Sequence, residues 1–181
     1  MLTVTPNDPL VLLVTSDELA EYLQAEITPF FYFALSMATE YFVAQTGIES
    51  GTRESIVYGK REPKHYPGLS PVTKHMPEWV EIPIHPVRDV IEVELDGEIV
   101  TPEVDLLTRP AQLYVGDAKE VKAKIYAGHS NSEFDARSRM AILMLAGFIV
   151  ENRGACDLTE AAEKSGAKKL MDQLSIFPVM L

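Results

Sequence analysis

Apolar residues recur at helical spacing near both ends of the chain, whereas the middle alternates apolar with polar residues. The first dozen residues, which include two prolines, are predicted to form an extended arm. A short helix should begin after Thr15, because threonine caps helices and Glu18 follows in the capping-box register. Its apolar stripe fades near Gln24, where we expect the helix to end.

A second helix is predicted from Pro29 to Thr46. Thr28 is a suitable cap, proline suits the first helical position, and Gly47 is a typical stop. About two-thirds of the circumference of this helix is apolar. It is therefore either a central core helix or a helix whose surplus apolar face is covered by another subunit. The candidate subunit-interface residues are Phe30, Phe31, Tyr32 and Phe33.

Residues 52–128 change to short β segments separated by proline and glycine. Alternation with a period of two predicts strands, and Asp96-Gly97 is a strong hairpin turn. Residues 59–78 are rich in proline and are predicted to be irregular. The predicted strands, arranged as an antiparallel meander, are Trp79–Ile82, Val90–Leu95, Glu98–Val100, Gln112–Val115 and Val121–Tyr126.

Helical spacing returns near Ser132, which is predicted to cap a helix with Asp135 in its first turn. The apolar run from Met140 to Phe148 is too long for a typical strand and predicts a buried helix reaching about Arg153. The small pair Ala146-Gly147 should permit the close approach of a neighbouring element.

A weaker helix is predicted over residues 159–174, with an interruption at Ser165-Gly166. The two long helices are too apolar to stand without each other. The predicted fold class is therefore α+β, a small helical bundle with an inserted antiparallel β-rich region. The predicted single subunit, residues 1–181, consists of a helical core of residues 15–47 and 132–174, a β-rich insertion of residues 52–128 and a tail of residues 175–181.

The tail carries five apolar side chains around a proline. Because proline cannot continue a helix, the segment should be extended. An extended apolar strip either folds back on its own core or docks in a groove of another subunit. The candidate docking residues are Ile176, Phe177, Pro178, Val179, Met180 and Leu181.

The chain carries 16 basic and 27 acidic residues, a net charge of −11. This balance disfavours tight binding to nucleic-acid phosphates, which requires basic side chains. The longest apolar run, Met140–Val150, is about half the length of a membrane-spanning helix. Cys156 is the single cysteine, and the N-terminus lacks a secretory pattern, so we expect folding in a reducing cytoplasm.

No residue pattern predicts catalysis. The four histidines lack the close spacings of zinc sites, and phosphate-binding loops of known type are not found. Glu92, Glu94 and Asp96 should share one sheet face, which favours a solvated acidic surface over an acid–base pair. We therefore expect no enzyme activity, no catalytic residue, no metal and no cofactor.

Segments along most of the chain resemble one family. They are Thr15–Leu23, the helix end at Thr46-Gly47, Ile82–Val87 ahead of the Asp96-Gly97 hairpin, Ile125–Gly128 ahead of an apolar helix, and Ser165–Met171. In this order and spacing they resemble the head–tail connector proteins of tailed bacteriophages, also called adaptor or head-completion proteins. The resemblance is to the longer variety, which has a β-rich insertion.

The resemblance implies a structural virion protein that forms a homo-oligomeric, dodecameric ring. The ring would bind beneath the portal protein and join a stopper or tail-completion protein, linking the head to the tail. DNA would pass through its channel without specific binding, and an acidic lumen agrees with the net charge. No membrane is involved, and the protein would be in the virion after assembly in the host cytoplasm.

Two other functions stay open at this stage. One is another neck or tail-completion protein of the same kind of particle. The other is a small hydrolase that uses a pair of carboxylates.

Overall fold

The computed structural model describes residues 2–60, 78–153 and 157–176. It contains five helices and two antiparallel sheets within these residues, which confirms the α+β class. The chain divides into two compact units. The helical unit comprises Leu10–Thr52 and Gly128–Leu181, and the β unit comprises Met1–Pro9 and Arg53–Ala127.

The helical unit begins with two helices whose ends follow the sequence closely. Helix α1, Ser16–Leu23, starts with a complete capping box between Thr15 and Glu18, as predicted. It ends at Gln24, whose φ of 50° is left-handed. Helix α2 spans Pro29–Thr46 and ends at Gly47, whose φ of 71° is readily adopted only by glycine.

The remaining helices are α3, Ala136–Glu151, α4, Leu158–Ser165, and α5, Ala167–Leu174. Gly166, with a φ of 80°, separates α4 from α5 and accounts for the predicted interruption. Helix α3 packs against the other four helices. Its Gly147 allows α1 to approach closely, since a Cβ there would lie 3.0 Å from Cε1 of Tyr22.

The cap of α3 differs from the prediction. Asp135 is the N-cap, and its carboxylate accepts from the backbone N–H groups of Arg137 at 2.6 Å and Ser138 at 3.2 Å. Ser132 lies in the preceding turn, where its hydroxyl is 3.2 Å from that of Ser130. The prediction that Ser132 caps this helix is wrong, because only Asp135 reaches the first-turn N–H groups.

Arg139 of α3 ties three segments of the helical unit together. Its guanidinium donates to the carbonyl of Leu13 at 2.7 Å and to Oε1 of Glu18 at 3.0 Å. It also donates to the carbonyl of Asn131 at 2.9 Å and lies over the ring of Phe134. Because Glu18 also completes the capping box through its other oxygen, the start of α1 is fixed against α3.

The β unit contains a five-stranded and a three-stranded sheet, both antiparallel. The strands are β1 Thr3–Pro6, β2 Arg53–Lys60, β3 Trp79–Glu81, β4 Val87–Leu95, β5 Glu98–Val100, β6 Val104–Asp105, β7 Gln112–Tyr114 and β8 Glu120–Ala127. The larger sheet has the order β1-β2-β8-β4-β5, and the smaller has the order β3-β7-β6.

This topology corrects the predicted meander. The strands are antiparallel as predicted. However, β8 lies between β2 and β4, and neither of these strands is next to β8 in the sequence. The three longest strands of the unit pair with one another, and their inward positions bury Val57, Val93 and Ile125. Pairing the longest strands buries the most apolar surface, which favours this order over a meander.

Three strands were not predicted as such: β1, β2 and the two-residue strand β6. The predicted extended arm is in part β1, which pairs with β2 at the sheet edge. Strand β2 buries Arg53, Ser55, Val57 and Gly59 on its inner face, so only one of its inward residues is a large apolar one. This strand lacks the apolar alternation by which strands are recognised.

We expect Asp135 to stabilise the protein in a pH-dependent manner. Partial burial would raise the pKa of Asp135, but hydrogen bonds from Ser138 and Arg137, together with the charge of Arg137, hold this pKa below its usual 3.8. The Asp135 carboxylate therefore contributes its full stability at pH values above the usual pKa of 3.8. This contribution is lost as the pH falls through the lowered pKa of the folded protein. Asp135→Ala should lower the free energy of unfolding at pH 7 by about 1 kcal/mol.

Chemical denaturation measured between neutral pH and pH 3 checks this expectation. Asp135→Asn is the matched control, because asparagine also caps helices but does not titrate. The difference between the wild type and Asp135→Asn should shrink as the pH falls below the usual pKa of an aspartate. A constant difference across this range would contradict the assignment.

Candidate functional site

The four candidate interface residues lie in the first turn of α2 and differ in their exposure. Phe31 is 1% exposed and belongs to the core of the helical unit, whereas Tyr32 is 64% and Phe33 is 53% exposed. Phe30 is half-buried, with its ring centroid 5.5 Å from that of Phe33. As a member of the core, Phe31 is not available at the surface of this subunit for a contact with another.

The side chain of Phe30 is covered by a cation. The guanidinium carbon of Arg153 lies 5.1 Å from the Phe30 ring centroid, a distance at which a cation–π interaction stabilises the pair. Phe30 therefore connects the first turn of α2 to the residues that follow α3.

Other exposed apolar side chains occur in the same unit. Tyr22 of α1 is 44% exposed, and Ile27, between α1 and α2, is 55% exposed. The sequence did not identify them: Tyr22 belongs to the apolar stripe of α1, which predicts an inward position, and Ile27 is a single apolar residue in a short connection. Together with Tyr32 and Phe33 they are four exposed large apolar residues within twelve positions, which we name the α2 surface.

The described part of the candidate docking tail ends at Ile176. The backbone N–H of Ile176 donates to the carbonyl of Thr46 at 3.0 Å, and its half-buried side chain packs against the core of the helical unit. The hydroxyl of Ser175 donates to the carbonyl of Gln45 at 3.3 Å. These bonds fix the start of the tail at the C-terminal end of α2, and residues 177–181 lie outside the described residues.

Two residues of the predicted acidic face take part in an ion pair and a turn. Glu94 pairs with Lys122 on the neighbouring strand at 3.8 Å. The carboxylate of Asp96 accepts from the backbone N–H groups of Lys119 and Glu120, both at 2.8 Å, and so fixes the end of the hairpin. These contacts give Glu94 and Asp96 structural roles within the sheet.

A second ion pair lies on the outward face of the larger sheet. The Lys124 ammonium is 2.9 Å from the Glu54 carboxylate. This hydrogen bond lowers the pKa of Glu54 and raises the pKa of Lys124. Tyr58 donates to Glu120 at 3.0 Å, which raises the pKa of Tyr58. Each shift favours the protonation state already present at neutral pH.

Within the described ranges, no group of three histidine, cysteine or acidic residues could hold a metal ion. Across those same ranges, no helix has the length and apolarity to span a membrane.

Comparison with known proteins gives a match of the whole fold. No family model and no curated protein sequence matches the chain. Among solved structures, the chain is similar to one from the neck of a native GTA particle computed with C12 symmetry, with a TM-score of 0.67 and 16% identity. The match covers 98% of this chain and 97% of that one.

Two further structures share the fold over the same fractions of both chains. A chain from the neck of an empty GTA particle, computed with C6 symmetry, has a TM-score of 0.66 and 14% identity. A chain from the virion of a native gene transfer agent (GTA) particle has a TM-score of 0.69 and 14% identity. These similarities extend over both the helical unit and the β unit, so the whole architecture is shared.

Proposed function

We propose that this protein is a non-enzymatic structural subunit of the neck of a phage-like particle, a ring-forming head–tail connector. The observation that carries the proposal is the fold match over 98% of the chain to a chain from a particle neck. The segments that resemble head–tail connectors are spread along the same length and support it independently. In this role the ring binds beneath the portal, contacts a stopper or tail-completion protein and leaves a channel for DNA.

The oligomeric state is part of this proposal. The similar necks were computed with C12 and C6 symmetry, and twelve subunits would match both. A closed ring of identical subunits needs two different complementary patches on each subunit. The α2 surface supplies exposed apolar side chains of the kind found at the centres of interfaces, and we assign it to the lateral contact between ring subunits.

The proposal is tested by removing the gene from the particle-producing strain and examining the products by electron microscopy. A connector subunit should be required for joining, so we expect separate heads and tails, with tailed particles restored by the gene in trans. Normal numbers of tailed, infectious or DNA-transferring particles without the gene would contradict the proposal.

We further propose that the tail, residues 176–181, docks on a neighbouring subunit or on the portal. Because Ile176 already contacts the helical core, the informative truncation removes residues 177–181 and retains it. We expect the truncated protein to keep its free energy of unfolding within about 0.5 kcal/mol, since it retains all the described contacts. It should nevertheless fail to restore tailed particles.

Thermal unfolding and complementation of the deletion strain measure these two effects. Replacing Phe177, Val179, Met180 and Leu181 with serine keeps the length of the tail and separates the effect of apolarity from that of length. If either variant loses several kcal/mol of stability while still completing particles, the tail belongs to the subunit's own core.

A further inference from the structure

The β unit carries a leucine pair that is held outward by a rigid turn. Leu107 is 95% exposed and Leu106 is 44% exposed. Both follow Asp105, whose Oδ1 accepts from the backbone N–H of Leu107 at 2.9 Å and from that of Thr108 at 3.3 Å. The hydroxyl of Thr108 donates back to the Asp105 carbonyl at 3.2 Å. We name residues 105–108 the leucine turn.

The base of the leucine turn is anchored in a sheet. Asp105 ends β6, which pairs with β7 through Val104 and Leu113, and Leu113 is fully buried. One residue earlier, the carbonyl of Glu103 accepts from the N–H of Tyr114 at 2.9 Å. The turn is thus fixed on both sides, and its leucines are presented to solvent without the conformational freedom of an unstructured loop. A segment whose backbone is already ordered loses less entropy when it binds.

The charges on the residues that lead up to the leucine turn are all negative, and Arg109 directly follows the turn. Residues 89–108 contain seven acidic and no basic residues. The exposed carboxylates of Glu98 and Glu103 form no ion pair within residues 2–60, 78–153 and 157–176. The same stretch includes Ile99, which is 72% exposed. Exposed acidic and exposed apolar side chains therefore lie close together in sequence between Glu98 and Leu107.

We propose that the leucine turn docks into an apolar pocket bordered by lysine or arginine on a different protein of the neck. The charge selects the partner: two copies of this chain, each with a net charge of −11, would bring like charges together at this surface. A basic border would be attracted to Glu98 and Glu103, while the pocket would receive Leu107. The inference rests on the proposed neck function and adds an axial contact that is separate from the α2 surface.

Binding measurements with two purified probes test the inference: the portal ring and the tail-completion protein of the same particle. Leu107→Ser should weaken binding to one probe about 10- to 100-fold, the loss expected when a buried leucine anchor is removed. Met140→Ser, which removes an apolar residue of 43% exposure in the helical unit and outside the α2 surface, is the matched control and should bind that probe as the wild type does. Circular dichroism should show both variants folded, because both side chains are exposed.

The charge component has its own test. The double variant Glu98→Lys, Glu103→Lys should bind the same probe more weakly, and its affinity should depend less on salt concentration than that of the wild type. Tighter binding by this variant would overturn the assignment of a basic partner.

The remaining outcomes separate this inference from the proposed function. If the wild type binds a probe and Leu107→Ser binds it equally well, the leucine turn is not the contact, while the neck function stands. If Leu107→Ser reduces self-association in sedimentation experiments without changing probe binding, the occupant is a second copy and the inference is overturned. If the wild type binds neither probe, the proposed neck function fails and the inference fails with it.

Discussion

Gly128→Ala should destabilise the helical unit by about 3 kcal/mol or more. Gly128 has a φ of 125°, which residues with a side chain rarely adopt. A Cβ at this position would also lie 2.0 Å from the carbonyl oxygen of Gly51 and 2.7 Å from the backbone nitrogen of Thr52. The obstructing atoms belong to the backbone, so no side-chain rotation relieves the clash.

Gly97→Ala separates the two causes. Gly97 has a φ of 89°, but a Cβ there would meet nothing within 4 Å. Gly97→Ala should therefore lower the free energy of unfolding only by the cost of the strained backbone, about 1–2 kcal/mol. Urea denaturation of both variants measures the difference, which isolates the contact between Gly128 and Gly51. Equal losses would mean that the helical unit adjusts to the added methyl group without cost.

The helices could be predicted well because their ends carry residues with a specific physical role. Thr15 with Glu18 and Gly47 marked helix ends that the structure reproduces. The start of α3 was less accurate, because Ser132 and Asp135 are both good caps by residue type. Only the path of the preceding turn decides which of them reaches the free N–H groups, and that path depends on tertiary contacts such as those of Arg139.

Sheet topology was harder to predict than strand position. The hairpin at Asp96-Gly97 is local, and its turn residues identified it. The pairing of β8 with both β2 and β4 joins residues far apart in sequence, and no local pattern encodes such a choice. Strand β2 was not predicted because its inner face lacks the usual run of apolar residues. This face is made of Arg53, Ser55 and Gly59 as well as Val57.

The candidate interface residues were identified by residue type, but the sequence could not show which of them are exposed. Helix α2 is apolar around most of its surface, so periodicity does not say which residues face inward. Helix α2 packs against α1, α3 and α5, and in this packing Phe31 is buried while Tyr32 and Phe33 stay exposed. The leucine turn was not predicted from the sequence, although the acidic residues that precede it are visible there.

Phe31→Glu and Tyr32→Glu should therefore affect different properties, although the two residues are adjacent. Phe31→Glu should impair folding, whereas Tyr32→Glu should impair assembly. Phe31 is fully buried in the core, so Phe31→Glu removes the packing of a large ring and places a charge without a partner there. Losing the ring alone costs about 3–5 kcal/mol, enough to unfold a typical domain in part or completely. Tyr32 is 64% exposed, so Tyr32→Glu should change the free energy of unfolding by only about 0.5 kcal/mol.

The effect of Tyr32→Glu should appear in the assembly of the particle. If the α2 surface forms the lateral contact of a ring, Tyr32→Glu places a carboxylate in an apolar interface at every repeat. Because each ring contains many copies of the contact, a modest loss per contact is multiplied, and Tyr32→Glu should yield a folded, soluble subunit that restores few or no tailed particles.

Ala44→Glu is the matched control, because it adds the same charge to an exposed position on the same helix, outside the α2 surface. It should fold and complement the deletion strain as the wild type does. Thermal unfolding and counts of tailed particles by electron microscopy measure the two properties for each variant. A folded Tyr32→Glu subunit that completes particles normally would show that the exposed rings of α2 do not contact a neighbour. The lateral contact would then have to be sought elsewhere on the subunit.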